Sequence, residues 1–195
     1  MGQYFDEDKK LKQQKKLIKI NYGNKHYNLY TTNGVFSKEK FDYGTRLLLE
    51  EITKNELEGR ALDLGCGYGI VGVILANTYP NLTIDMIDIT DRAIELSKEN
   101  TKKLVNVNVF KSNIYKKITE EYDYIITNPP IRAGKEIVRK FLKEAYCHLK
   151  SSGELWFVMR KDHGVKSIIK ELEEIYKISI MNKSKGFYIV KCIKK

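Results

Sequence analysis

Leu62-Asp63-Leu64-Gly65-Cys66-Gly67-Tyr68-Gly69 is the stretch on which the reading of this chain turns. A short apolar run carrying one carboxylate gives way to glycines on alternate positions, and an apolar segment from Ile70 to Thr78 follows. Glycine permits tight turns with positive φ and lets the backbone approach a ligand closely. The first turn of a following helix offers N–H groups that lack intrahelical partners. The stretch therefore predicts a buried strand, a ligand-binding loop and a helix. A dinucleotide-binding loop would place its third glycine at the sixth position. Counted from Gly65 that position is Ile70, so the pattern is Gly-x-Gly-x-Gly and a different ligand is expected.

From residue 60 onward apolar strand-like runs alternate with amphipathic segments, which favours a parallel sheet covered on both faces. Strands are expected at 61–64, 82–87, 105–110, 122–127 and 154–159, with helices at 70–78, 91–103, 135–149 and 165–174. Two last strands, 176–181 and 187–193, are joined by Asn182-Lys183-Ser184-Lys185-Gly186, short enough for a hairpin, so the final strand should run antiparallel. Ahead of this core, Leu17–Ile20 and His26–Tyr30 flank Asn21-Tyr22-Gly23-Asn24 as a small hairpin, and a helix is expected at 43–53. The expected architecture is an α/β Rossmann-like fold with a seven-stranded, mostly parallel sheet. It divides into an N-terminal extension, 1–58, and a core, 59–195, within one structural domain.

The core carries two further landmarks. Asp88 ends the second core strand, nineteen residues past Gly69, where a carboxylate can accept hydrogen bonds from both hydroxyls of a ribose. Asp91 reads instead as a cap or first-turn acid. The glycine loop resembles motif one of the class I methyltransferases, which implies S-adenosylmethionine as cofactor. In that pattern an Asp or Asn after the third strand meets the adenine amino group, which points to Asn113 in Lys111-Ser112-Asn113-Ile114.

Asn128-Pro129-Pro130, directly after Tyr124-Ile125-Ile126-Thr127, defines the reaction. An exocyclic amine is a poor nucleophile because its lone pair is delocalised into the ring. Two acceptors at its hydrogens can align it with a methyl donor. The side-chain oxygen of Asn128 and the carbonyl of Pro129 suit that role, and consecutive prolines stiffen the backbone without adding N–H donors. Asn128 then positions the amine without acting as a base, since the nitrogen becomes acidic only after methyl transfer.

With these motifs the chain resembles compact relatives of the RsmC-like guanine-N2 methyltransferases of small-subunit ribosomal RNA. The likeness extends to Gly34-Val35-Phe36-Ser37 and Asp42-Tyr43-Gly44-Thr45-Arg46-Leu47-Leu48-Leu49. It implies that this stretch closes over cofactor and substrate, bringing Phe36 to the substrate and Thr45 to the cofactor. The set implied for the cofactor is Asp63, Gly65, Gly67, Gly69, Asp88, Asn113, Asn128 and Thr45. Where the family usually has an aromatic residue after the second proline, this chain has Ile131, which offers the base apolar contact without stacking. Arg132, Lys135 and Arg139 follow as candidate phosphate contacts. The same chemistry could serve adenine N6 or a protein glutamine amide, and a non-catalytic RNA-binding or assembly factor could keep the same fold.

Charge is divided along the chain. Residues 1–40 carry nine Lys/Arg against four Asp/Glu, residues 41–131 ten against fourteen, and residues 132–195 sixteen against seven. Basic flanks attract a polyanion if they fold onto one side, although a solvated lysine-rich surface has the same composition. The expected partner is ribosomal RNA or the small ribosomal subunit. Tyr22, Tyr27 and Tyr30, interleaved with Lys19, Lys25 and His26, pattern either as an RNA platform or as half-buried strand residues. Cys66, Cys147 and Cys192 have neither disulfide nor zinc spacing and read as buried apolar residues. His26, His148 and His163 show no triad or metal spacing. The charged, glutamine-rich start resembles no secretory signal, so a cytoplasmic monomer without a bound metal or membrane span is expected.

Overall fold

The computed structural model describes residues 15–32 and 41–195. The charged first residues and Gly34-Val35-Phe36-Ser37, with the candidate Phe36, lie outside that range. Strands β1 (Lys16–Tyr22) and β2 (Lys25–Thr31) form an antiparallel hairpin, followed by α1 (Tyr43–Ile52). Then come β3 (Gly59–Leu64), α2 (Ile70–Thr78), β4 (Leu82–Asp88), α3 (Asp91–Thr101), β5 (Val107–Lys111) and β6 (Tyr122–Thr127). The chain ends with α4 (Lys135–Lys143), β7 (Leu149–Arg160), α5 (Val165–Leu172), β8 (Tyr176–Ser184) and β9 (Phe187–Lys194).

The main sheet has the order β5-β4-β3-β6-β7-β9-β8. Its first five strands are parallel, and β9 runs antiparallel to both neighbours, as expected for the final strand. Sequence order reverses between β3 and β6, and ligands of open α/β sheets sit outside the carboxyl ends of the strands at such a reversal.

Alternation along the strands builds two apolar layers. On one face Ala61, Ile84, Trp156 and Ile189 pack with α1, α2 and the hairpin, through Leu48, Ile74 and Leu29. On the other, Leu62, Ile125, Leu155 and Val190 meet α4 and α5 through Leu142 and Ile168. The hairpin buries Ile18, Ile20, Tyr27 and Leu29 in the first layer. Each such side chain stabilises by roughly 1.5–3 kcal/mol, which lets a two-stranded hairpin persist that would be marginal alone. Asn100 of α3 fixes it further: its Oδ1 accepts from the Tyr30 N–H at 2.7 Å while its Nδ2 donates to the carbonyls of Tyr30 and Tyr68, at 2.9 and 2.7 Å. Tyr27 is thus core and Tyr22 is bound to Thr53 Oγ1 at 2.8 Å, while Tyr30 is exposed.

Several expected boundaries shift. The helix foreseen to 149 stops at Lys143 and tightens into a 3₁₀ segment, Glu144–His148, whose His148 stacks on Tyr115 at 4.5 Å. Strand β7 begins at Leu149, five residues early, because Ser152 takes a φ of 61° and Gly153 passes so close to Tyr122 that a Cβ there would stand 2.9 Å from its carbonyl oxygen. The last hairpin turn is only Lys185-Gly186, with φ of 47° and 80° as a primed turn requires. Cys147 is exposed, against expectation, because it sits in the 3₁₀ segment that replaces the end of the helix.

Candidate functional site

The glycines of the loop are needed for conformation. Gly65, Gly67 and Gly69 have φ of 76°, 58° and 92°, where residues with a Cβ are strained. A Cβ on Gly69 would also lie 2.9 Å from Met86 Cε and 3.3 Å from the Ser97 backbone. The loop is fixed to β4 by the Gly65 and Cys66 N–H groups, both donating to the Ile87 carbonyl at 2.9 Å.

Asp63 lies beneath the loop. It is 3% exposed, and its Oδ2 accepts from the Gly72 N–H at 3.1 Å, tying β3 to α2. Its carboxyl is pushed up to about 7: burial is the largest cause, the Gly72 bond opposes it, and the nearby Asp88 charge adds to it. At the end of β4, Asp88 Oδ2 accepts from the Gly67 N–H at 3.1 Å, and Oδ1 accepts from the Thr90 N–H and hydroxyl at 3.0 and 3.1 Å. A carboxylate offers about four acceptor positions, so these bonds orient it and leave capacity for a ligand.

Beyond β5, Asn113 is exposed, and Ile114 adopts a φ of 51°, a strained setting for a β-branched residue. That strained turn is held by the Ser112 hydroxyl donating to the Ile114 carbonyl at 2.8 Å and accepting from the Lys117 N–H at 3.2 Å. On the other side of β3, the Thr127 hydroxyl of β6 donates to the Leu64 carbonyl at 2.8 Å, setting Asn128 beside Gly65.

The amide of Asn128 is oriented by two acceptors. Its Nδ2 donates to Asp42 Oδ2 at 3.1 Å and to Thr45 Oγ1 at 2.9 Å. Asp42 caps α1, and the same Oδ2 accepts from the Thr45 N–H at 2.8 Å and from the Thr45 hydroxyl at 3.0 Å. With its hydrogen committed to Asp42, the Thr45 oxygen can only accept. The carboxylate likewise only accepts, so the Asn128 nitrogen must face both and its Oδ1 faces away. Asp42 was not singled out in the sequence beyond its place in a family-like stretch. An aspartate just ahead of an apolar helix signals a cap, but its partner lies eighty-six positions away. Thr45 is placed against Asn128 by these bonds.

Tyr68, also absent from the expected set, is 4% exposed and its hydroxyl has no hydrogen-bond partner. Burial first and the Asp42 carboxylate second raise the phenol above its ordinary range, so it keeps its proton and is available as a donor. Cys66 is buried with its thiol pushed up, chiefly by burial, and is not a nucleophile.

Past the prolines, Ile131 and Arg132 lie in a 3₁₀ turn ahead of α4. Ile131 and Lys135 share an open cleft with Met159, His163 and Ser167. Arg139 does not point to a phosphate: it is paired with Glu136 at 2.6 Å and with Glu171 at 3.1 Å, which explains a cation on that helix without a ligand. Asp85, at mid-strand, is buried among Arg60, Tyr122 and Asn108 and is structural. Among the described residues no cluster of His, Cys, Asp or Glu could hold a metal, and no helix is long and apolar enough to cross a membrane.

A glycine loop, an acid on the next strand and an Asn-Pro-Pro corner at the reversal of this sheet define a Rossmann-like S-adenosylmethionine-dependent methyltransferase. Residues 26–191 match the methyltransferase small domain family, and the chain belongs to it. A Bacillus subtilis (strain 168) protein, the uncharacterized YbxB, is 40% identical over 196 residues, covering 98% of both chains. Ribosomal RNA small subunit methyltransferase C of Psychromonas ingrahamii is 29% identical over 92% of this chain, which spans only 52% of that protein. In fold, the chain matches the T. thermophilus 16S rRNA N2 methyltransferase RsmC, solved with AdoMet and guanosine. The TM-score is 0.83 at 20% identity, over 93% of this chain and 51% of the other. A ribosomal protein L11 methylase from Lactobacillus delbrueckii subsp. bulgaricus matches at TM-score 0.69 and 17% identity, over 80% and 84% of the two chains.

Three features fit the cofactor: a glycine loop with no room for side chains at Gly69, an oriented carboxylate at Asp88, and the buried, unpaired Tyr68 hydroxyl.

Proposed function

We propose that the protein methylates the exocyclic N2 of a guanine in small-subunit ribosomal RNA. The observation that carries this reading is the Asn128 amide, its nitrogen held by Asp42 and Thr45 so that its oxygen faces away from both. An oxygen so placed can accept from the NH2 group that receives the methyl. The carbonyl of Pro129 supplies the second acceptor for that amine.

S-adenosylmethionine, when bound, supplies an electrophilic methyl group on a sulfonium. Gly65, Gly67 and Gly69 would admit it closely, Asp88 would accept from its ribose and Asn113 would meet its adenine, while Asp63 holds the loop on α2. Asn128 and Pro129 hold the amine in line, and Pro130 keeps the corner rigid. The cofactor would bring its own leaving group, a neutral thioether, so these residues need only position the nitrogen. The nitrogen's extra proton then passes to water. Ile131 contacts the base, and Arg132 and Lys135 meet phosphates.

The named activities of the two RsmC-type relatives support ribosomal RNA as acceptor. The L11 methylase shows that this fold also occurs in a protein named for acting on a ribosomal protein, so fold alone does not choose the acceptor. Purified protein with labelled cofactor is expected to label small-subunit RNA or subunits, with N2-methylguanine as product. Asn128→Ala should abolish labelling while cofactor binding persists. Equal labelling by that variant, or methylation of adenine or glutamine, refutes the assignment.

A further inference from the structure

The sequence from Ile175 to Lys195 contains six lysines and no acid. The fold carries part of this charge to the candidate site. The β8–β9 turn lies at the carboxyl edge of the sheet, beside the end of β7, where the Lys161 N–H donates to the Gly186 carbonyl at 2.8 Å. The turn also leans on the start of α1. Tyr43 Oη and Ser184 Oγ are 2.7 Å apart, the Tyr43 and Phe187 rings are 5.7 Å apart, and Gly44 packs so tightly that a Cβ there would meet Phe187 at 2.8 Å.

Cations and half-buried aromatics therefore alternate next to Asp42, which holds Asn128. Lys185 Nζ stands 4.8 Å from the Tyr43 ring centre, and the Arg160 guanidinium stands 5.3 Å from that of Phe187. Arg160 also pairs with Asp162, but Lys161, Lys183 and Lys185 have no carboxylate partner among the described residues. After the prolines, Arg132 and Lys135 likewise have no carboxylate partner among the described residues. Uncompensated charge interleaved with half-buried rings is the chemistry that receives a nucleic-acid strand.

We infer that the edge formed by Tyr43, Arg160, Lys161, Lys183, Lys185 and Phe187 is an RNA-docking surface. It holds the strand on one side of the target nucleotide, while Arg132 and Lys135 hold it on the other. This rests on the proposed RNA substrate and adds where that RNA lies. The test compares wild type, Lys161→Glu/Lys185→Glu, and the control Lys103→Glu/Lys177→Glu, which changes net charge equally but at the end of α3 and the start of β8. The probe is transcribed small-subunit RNA, titrated at several salt concentrations, with S-adenosylmethionine affinity measured in parallel.

The first double variant is expected to bind RNA at least about 10-fold more weakly, with a log–log salt slope smaller by about 1.4, the loss of two single-strand phosphate contacts. Its affinity for the methyl donor and the RNA affinity of the control should stay at wild-type values. If the first variant binds and is methylating RNA as wild type does, or if the control loses as much, the surface is refuted while the substrate stands. Wild type that neither binds nor labels RNA refutes the substrate and the surface together.

Discussion

Asp42→Ala removes a carboxylate whose Oδ2 receives three hydrogen bonds, and its effects should divide cleanly. The Thr45 N–H loses its cap, worth about 1 kcal/mol, which in a domain of this size lowers Tm by roughly 2–4 °C. The Asn128 amide loses a charge-assisted partner and the Thr45 hydroxyl becomes free to rotate. A hydrogen bond to a charged group contributes about 1.5–3 kcal/mol. If that free energy serves to hold the Asn128 oxygen against the amine, methyl transfer slows roughly 10- to 150-fold. Single-turnover methylation, cofactor titration and thermal melting together read the outcome, with the rate falling while cofactor affinity stays within about two-fold. Thr45→Val provides the contrast. It keeps the backbone cap, so Tm should barely move, yet it deletes one of the amide's two acceptors and the rate should still fall. An Asp42→Ala protein that melts a few degrees lower but transfers methyl groups at the wild-type rate would show that Asp42 merely caps α1.

Gly69→Ala forces a Cβ into positive φ and against Met86 and Ser97, and should destabilise by about 2 kcal/mol or more and weaken cofactor binding in calorimetry. Arg60→Met leaves Asp85, 1% exposed, without its cationic partner, so urea denaturation should show a loss on the order of 3 kcal/mol. The raised pKa of Asp63 predicts a stability contribution present in full below the unfolded value near 4 and lost as pH climbs through about 7. Asp63→Asn keeps an acceptor for Gly72 and should flatten the fall between pH 5 and pH 8 by roughly 2–3 kcal/mol; an unchanged slope in urea titrations would show that the carboxyl titrates normally.

The elements read best from the sequence were those whose signal is local. The glycine loop announces its own geometry, and runs such as Leu82–Ile87 and Tyr122–Thr127 are too short and apolar to be anything but buried strands. What escaped was set by distant partners. Leu149 reads as the end of a helix and Gly153 as the turn before a strand, yet both lie in β7, which pairs irregularly with β6 from Tyr122 onward. Lys185-Gly186 lacks the asparagine that usually marks a primed turn. Arg139 looked available for phosphate until Glu171, on another helix, came within 3.1 Å. Asp42 carries an ordinary capping signal, and only the fold reveals that it also orients Asn128. Tyr68 was passed over as a spacer between glycines, since nothing local foretells that its hydroxyl is buried unpaired.

Asn100 gives the N-terminal hairpin a mechanical part in the loop's behaviour. One carboxamide grips the main chain of Tyr30 with one hand and the Tyr68 carbonyl with the other, so displacement of either is felt by both. Amide protons in the hairpin should therefore exchange more slowly once the methyl donor stiffens the loop, although no donor atom need touch them.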